Sequence, residues 1–184
     1  MSVLYRPKHQ WQGDPSDSGG TGWVDCGPHA LAMGLDAVTH SAVVPSGRMI
    51  RALTDEPVPQ PGDPGVTHAQ LLAAAKRFGA RFTDEVRPWA SLEASLRDRR
   101  WVCLSVWYPA MGSWMAQRPG EFGHDIGVMA VGGDDGTLVF DPLARAARWI
   151  PISTVRAAAE EWGRRSRVPG RVRYLLSSTQ IPYA

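Results

Sequence analysis

The chain has 184 residues, 43% of them hydrophobic, with eight tryptophans and a net charge of +2 from 20 basic and 18 acidic residues. That is enough apolar material for a packed core and too much for a disordered chain. The near-neutral balance lacks the basic stripe interleaved with aromatics that nucleic-acid binding requires, two cysteines (Cys26 and Cys103) are too few for a disulfide framework or a zinc site, and no window approaches the roughly 18 apolar residues of a membrane span.

Residues 1–12 alternate loosely, as an edge strand would, and GDPSDSGGTG (13–22) is a loop by composition. From Gly27 the pattern is helical: Pro28 suits a first helical turn, and Ala30, Leu31, Met33, Leu35 and Val38 recur at helix spacing. Pro45-Ser46 offers a cap for a short helix through Leu53, and the proline-rich TDEPVPQPGDPG (54–65) is a surface loop. THAQLLAAAKRFG (67–79) predicts a helix opened by a Thr67/Gln70 capping box and stopped by Gly79, and a shorter one follows over 89–99. The period then changes. RWVCLSVWY (100–108) reads as a buried strand, and DIGVMAVGG (125–133) with TLVFDPL (137–143) reads as a hairpin turning at Asp134–Gly136. ARWIPIS (147–153) and RVRYLLSS (171–178) add strands, with a helix over about 154–163 between them. Helices first and antiparallel strands second predict one α+β domain over 1–184.

Cys26 stands immediately before Gly27-Pro28, at the mouth of the first strong helix. A thiol reacts as its thiolate, and the unpaired N–H groups of a helix N-terminus favour that charge. Taken by itself the stretch supports equally a reactive thiol and a small buried hydrophobe. A nucleophile also needs a base, and the base a partner that fixes its tautomer. Of the five histidines, His9 lies in the N-terminal segment, His29 points away from the thiol, and His40 and His68 sit at ordinary surface positions beside helices. His124 differs, because it enters a buried strand whose hairpin partner ends at Asp141-Pro142. Pairing across that turn brings Asp141 near His124. Cys103, in mid-strand, reads as core.

Together, DCGPHALAMGL, WVCLSVWY and GHDIGVMAVGGDDGTLVFDP resemble the papain-like cysteine peptidases of the bacteriocin-leader-processing, double-glycine type, and especially their relatives in phage and bacterial cell-wall lysins. The resemblance spans about residues 22–145. It implies a papain-like α+β fold with N-terminal helices, the central one opened by Cys26-Gly27-Pro28, packed on a C-terminal antiparallel sheet. It also implies amide hydrolysis through a thioester acyl-enzyme, without metal or organic cofactor. By position Cys26 would be the nucleophile, His124 the general base and acid, and Asp141 the residue orienting His124. One oxyanion donor would be the Cys26 N–H and the other a side-chain amide. Trp23, Gly27, Trp114 and Gly123 flank these residues and are the candidates for substrate contact.

The chain departs from the family pattern twice. Thr21 stands where a glutamine about five residues before the cysteine is usual, which leaves Gln10 and Gln12 as oxyanion candidates, Gln12 favoured. Asp125 follows His124 where an apolar residue is expected. The favoured partner is a peptide, above all a peptidoglycan peptide, with no nucleic acid and no membrane insertion. The N-terminus lacks the apolar core of a signal peptide, so synthesis in the cytoplasm with action at a cell wall or virion is the expectation. The rival readings are an inactive pseudo-peptidase acting as a structural or binding module of a phage particle or secretion apparatus, and a leader-peptide processing peptidase.

Overall fold

The computed structural model describes residues 5–11, 25–39, 45–54, 65–115, 121–131 and 136–183. In chain order these form α1 (Cys26–Thr39), α2 (Gly47–Ala52), α3 (His68–Arg77), β1 (Phe82–Arg87), α4 (Trp89–Arg97) and β2 (Arg100–Trp107). A 3-10 segment (Tyr108–Trp114) follows, then β3 (Gly123–Val131), β4 (Gly136–Phe140), β5 (Arg148–Pro151), α5 (Ile152–Arg165) and β6 (Val172–Gln180). The strands make one antiparallel sheet in the order β1-β6-β2-β3-β4-β5.

Side chains alternate across a strand, and here the alternation sorts two apolar layers. Trp101 and Cys103 of β2, Met129 of β3 and Phe140 of β4 pack with Leu31, Met33 and Leu35 of α1, Ile50 of α2 and Leu71 of α3. Val102, Leu104 and Val106 of β2, with Ile126 and Val128 of β3, face the other way onto Leu92 and Leu96 of α4 and Val155, Ala158 and Ala159 of α5. Continuous burial along β2 is therefore what a central strand covered on both faces requires. Cys103 is buried in the first layer, where desolvation pushes its thiol up to about 12. It is a packing residue.

Local sequence sets the helix starts. Ser46 Oγ accepts from the Met49 N–H at 3.2 Å, and Thr67 and Gln70 close a reciprocal capping box at the start of α3. The edge strand expected over 1–12 is not found in its described part, residues 1–4 and 12 lying outside the described residues. Residues 5–11 form no strand: Pro7 has no N–H to give, and the buried Asp36 carboxylate takes the Tyr5 hydroxyl at 2.9 Å and the Lys8 N–H at 2.6 Å. β1, in turn, is a strand the composition hid. FTDEVR is an exposed, charged edge, the form sheets use to discourage further pairing. The hairpin turn with Asp134 and Asp135 lies outside the described residues.

Trp101 fixes the spacing between α1 and the sheet. A Cβ at Gly34 of α1 would meet its indole at 2.5 Å, and one at Gly127 of β3 at 2.3 Å. The ring is thus clamped between two backbones that only glycine lets approach. Gly127→Ala is expected to destabilise the protein by about 1–3 kcal/mol through overpacking, read as a lower denaturant midpoint at constant m. An unchanged midpoint would refute the clamp.

Candidate active site

Cys26 is the first residue of α1, and its position is set by the residue before it. Asp25 is buried; its carbonyl accepts the His29 N–H at 3.1 Å and the His29 Nδ1–H at 2.8 Å, and its carboxylate lies 3.6 Å from Arg51. The half-buried thiol stands at the helix mouth, where peptide N–H groups are unpaired.

His124 is the second residue of β3, opposite Val106 of β2. β4 pairs Phe140 with Gly127, so Asp141, one step further, reaches His124 diagonally across the hairpin. His124 Nε2 donates to Asp141 Oδ1 at 2.8 Å. The same oxygen accepts the Leu143 N–H at 2.8 Å, and Oδ2 accepts the Tyr108 hydroxyl at 2.9 Å. The rings of Tyr108 and Phe122 meet the imidazole edge-on, at 4.7 and 6.2 Å between centroids. With Nε2 taken by Asp141, Nδ1 is left for Cys26, whose side chain is in hydrogen-bonding contact with the imidazole. Burial alone would discharge His124. The Asp141 charge and hydrogen bond, reinforced by Cys26, outweigh it and push the imidazole up to about 10. Burial likewise opposes the Asp141 charge, and His124, the Leu143 N–H and the Tyr108 hydroxyl overcome it, holding the carboxyl below its ordinary range.

The structure thus brings Cys26, His124 and Asp141 together. Cys26 and His124 edge a cleft of about 630 Å³ lined also by Gly27, His68, Ser105, Phe122, Gly123, Asp125, Trp162 and Arg173, with Asp141 behind His124. Gly123 lies beneath Trp162, whose ring a Cβ would strike at 2.4 Å, and Trp162 stacks on Trp107 at 6.3 Å. Trp114 does not line the cleft. It packs, partly buried, against the apolar layer under α5. Gln10 is no oxyanion donor either. Its amide nitrogen donates to the Pro45 carbonyl at 2.7 Å and its oxygen accepts the Gly47 N–H at 2.9 Å, so both ends are spent at the start of α2. Gln12 and Trp23 lie outside the described residues. No group of three or more metal-ligating side chains converges among the described residues.

Reading the sequence missed three parts of the site. Tyr108, the first residue of the 3-10 segment after β2, anchors Asp141. Ser105, the polar break in the apolar β2 run, donates to Asp125 at 2.7 Å. His68 is not at the surface as expected: it is buried, with Nδ1 2.7 Å from Asp84 and Nε2 3.3 Å from Ser105 Oγ. Asp84 sits on the β1 edge that the composition concealed, and no signal within α3 pointed to that partner.

No protein-family model matches the sequence, and no curated protein matches it. Solved structures do. One described as a C39-like peptidase from Bacillus anthracis is 12% identical, covers 99% of this chain and 100% of its own, and superimposes with a TM-score of 0.62. A double glycine motif protease from an AMS/PCAT transporter, solved in complex with the leader peptide, is 17% identical with a TM-score of 0.57, covering 96% of this chain and 95% of its own. The peptidase domain of Streptococcus ComA, a bifunctional ABC transporter involved in quorum sensing, is 15% identical with a TM-score of 0.54, covering 84% and 91%. The chain has the C39-like, papain-like peptidase fold. No helix among the described residues is long and apolar enough to cross a membrane.

Proposed function

We propose that this chain is a cysteine peptidase in which Cys26 is the nucleophile, His124 the acid and base, and Asp141 the residue that orients His124. The observation that carries this reading is a single buried imidazole with a carboxylate on Nε2 and a thiol in contact with its other face, at the edge of an open cleft. Structural relatives that are peptidases by description support it.

In this scheme the thiol proton resides on His124, and the resulting imidazolium is stabilised through Nε2 by Asp141. Cys26 Sγ attacks the scissile carbonyl, and the tetrahedral oxyanion faces the first-turn N–H groups of α1. The imidazolium then returns its proton to the leaving amine, and a water deprotonated by His124 hydrolyses the thioester. Because amine expulsion needs the imidazolium, kcat/KM should fall as pH rises through the His124 value of about 10.

The substrate class we favour is the peptide of the bacterial cell wall. The lysin-type resemblance supports this. The relative solved with a leader peptide makes leader peptides the next substrate to try. The test is incubation with solubilised cell-wall peptides and with a double-glycine leader peptide, products identified by mass spectrometry. Cleavage that disappears in Cys26→Ala supports the reading; wild type and variant leaving both substrates intact would overturn it. The second reading, a binding module that has lost catalysis, is favoured by one observation: Gln10 is held at α2 and supplies no amide beside the thiol.

A further inference from the structure

Asp125 is adjacent to His124 in sequence but lies on the opposite face of β3, against α1. Its register partner Ser105 donates to Oδ1 at 2.7 Å. The other oxygen, Oδ2, lies beside the first turn of α1, 3.1 Å from where a Cβ on Gly27 would stand. A side chain at that position would cover the carboxylate, so glycine keeps it open to the cleft that Cys26 and Asp125 both line.

The charged groups around Asp125 make their hydrogen bonds elsewhere. Arg173 forks onto Asp84 with contacts of 2.6 and 3.3 Å, and His68 is held between Asp84 and Ser105. His124 is turned to the other face and held by Asp141. Among the described residues Asp125 forms no ion pair within 4.0 Å and Oδ2 has no hydrogen-bond donor, while the Arg173 guanidinium acts on its charge through space. A half-buried carboxylate with one oxygen fixed and the other without a donor has room for a cation at hydrogen-bond distance.

We propose that Asp125 is a specificity residue that binds a cationic side chain of the substrate, lysine-like or another diamino acid, within two residues of the scissile bond. The distance follows from the placement: Oδ2 flanks Gly27, next in the chain to the proposed nucleophile. Ser105 positions the carboxylate, and Gly27 leaves room for the incoming ammonium. The inference rests on the peptidase reading and deepens it, since cell-wall peptides commonly carry a diamino acid with a free amine.

The test compares matched peptides carrying lysine or its neutral isostere norleucine at each of the two positions on either side of the cleaved bond. The expected result is a kcat/KM at least tenfold higher for lysine at one of these positions in the wild type, falling below threefold in Asp125→Asn. Ser105→Ala is expected to lower the same ratio by loosening the carboxylate. No lysine preference at any position, or a preference that survives Asp125→Asn, would overturn the proposal while leaving the peptidase reading intact. Should no peptide be cleaved, peptidyl chloromethyl ketones with lysine or norleucine give the same ratio as rates of Cys26 alkylation. Inertness toward both peptides and ketones overturns the peptidase reading and this inference with it.

Discussion

Iodoacetamide is expected to alkylate Cys26 at pH 6 at least tenfold faster in the wild type than in His124→Ala, with mass mapping of the labelled cysteine as the readout. His124 is charged at that pH, held so by Asp141 at 2.8 Å against the cost of its burial, and it contacts the Cys26 side chain. A cation in contact with the sulfur, beside the unpaired N–H groups of α1, stabilises charge on the sulfur as it attacks. Removing the imidazole leaves only the helix terminus to favour the attack. Cys103 provides an internal control: buried and pushed up to about 12, it should label in neither protein while the fold holds. Hydrolysis should fall much further than alkylation, because His124 also returns the proton to the leaving amine. Deleting one member of such a unit typically costs about 10⁶ in kcat. Equal alkylation rates at pH 6 would remove the basis for the catalytic assignment.

The site was legible in the sequence wherever it depended on neighbours in the chain. Cys26 before Gly27-Pro28 marked a helix mouth, and the hairpin logic that paired the strands on either side of Asp134–Gly136 was enough to bring Asp141 to His124, because register in a short hairpin is set locally. The same alternation placed Asp125 on the face opposite His124, which the Ser105–Asp125 pair bears out. Contacts between elements distant in sequence could not be read this way. His68 and Asp84 meet because α3 packs on an edge strand of mostly polar residues, and Gln10 is held by Pro45 and Gly47 across 35 residues or more. The N-terminal segment differs for a related reason: its backbone donors go to three separate partners, the Lys8 N–H to Asp36 and the Gln10 N–H to the Met33 sulfur on α1 and the Tyr5 N–H to the Pro182 carbonyl, none of which strand-like alternation reveals.

Asp141→Ala is expected to be among the most destabilising single changes at this end of the sheet, by about 3–5 kcal/mol, because it strips a buried imidazolium of its counter-charge. Three donors lose their acceptor together: His124 Nε2, the Leu143 N–H and the Tyr108 hydroxyl. The pH dependence of stability separates this loss from a simple cavity. His124 has a folded value near 10, above its ordinary 6.5, so the native state holds a proton that the unfolded chain releases. Its contribution is complete below the unfolded value and is lost as pH rises through the folded one, at up to about 1.4 kcal/mol per pH unit between them. Asp141 has the opposite sign: depressed in the fold, it stabilises above the ordinary carboxylate range and loses that contribution as pH falls through its folded value. Wild-type stability from this pair should therefore decline on both sides of a mildly acidic maximum. Asp141→Asn separates the two causes, since it keeps an oxygen for the His124 Nε2–H but carries no charge. In that variant the alkaline decline between pH 6.5 and 10 should flatten, measured as urea midpoints at half-unit pH steps. A slope as steep as that of the wild type would mean that the charge on Asp141 does not hold the proton on His124.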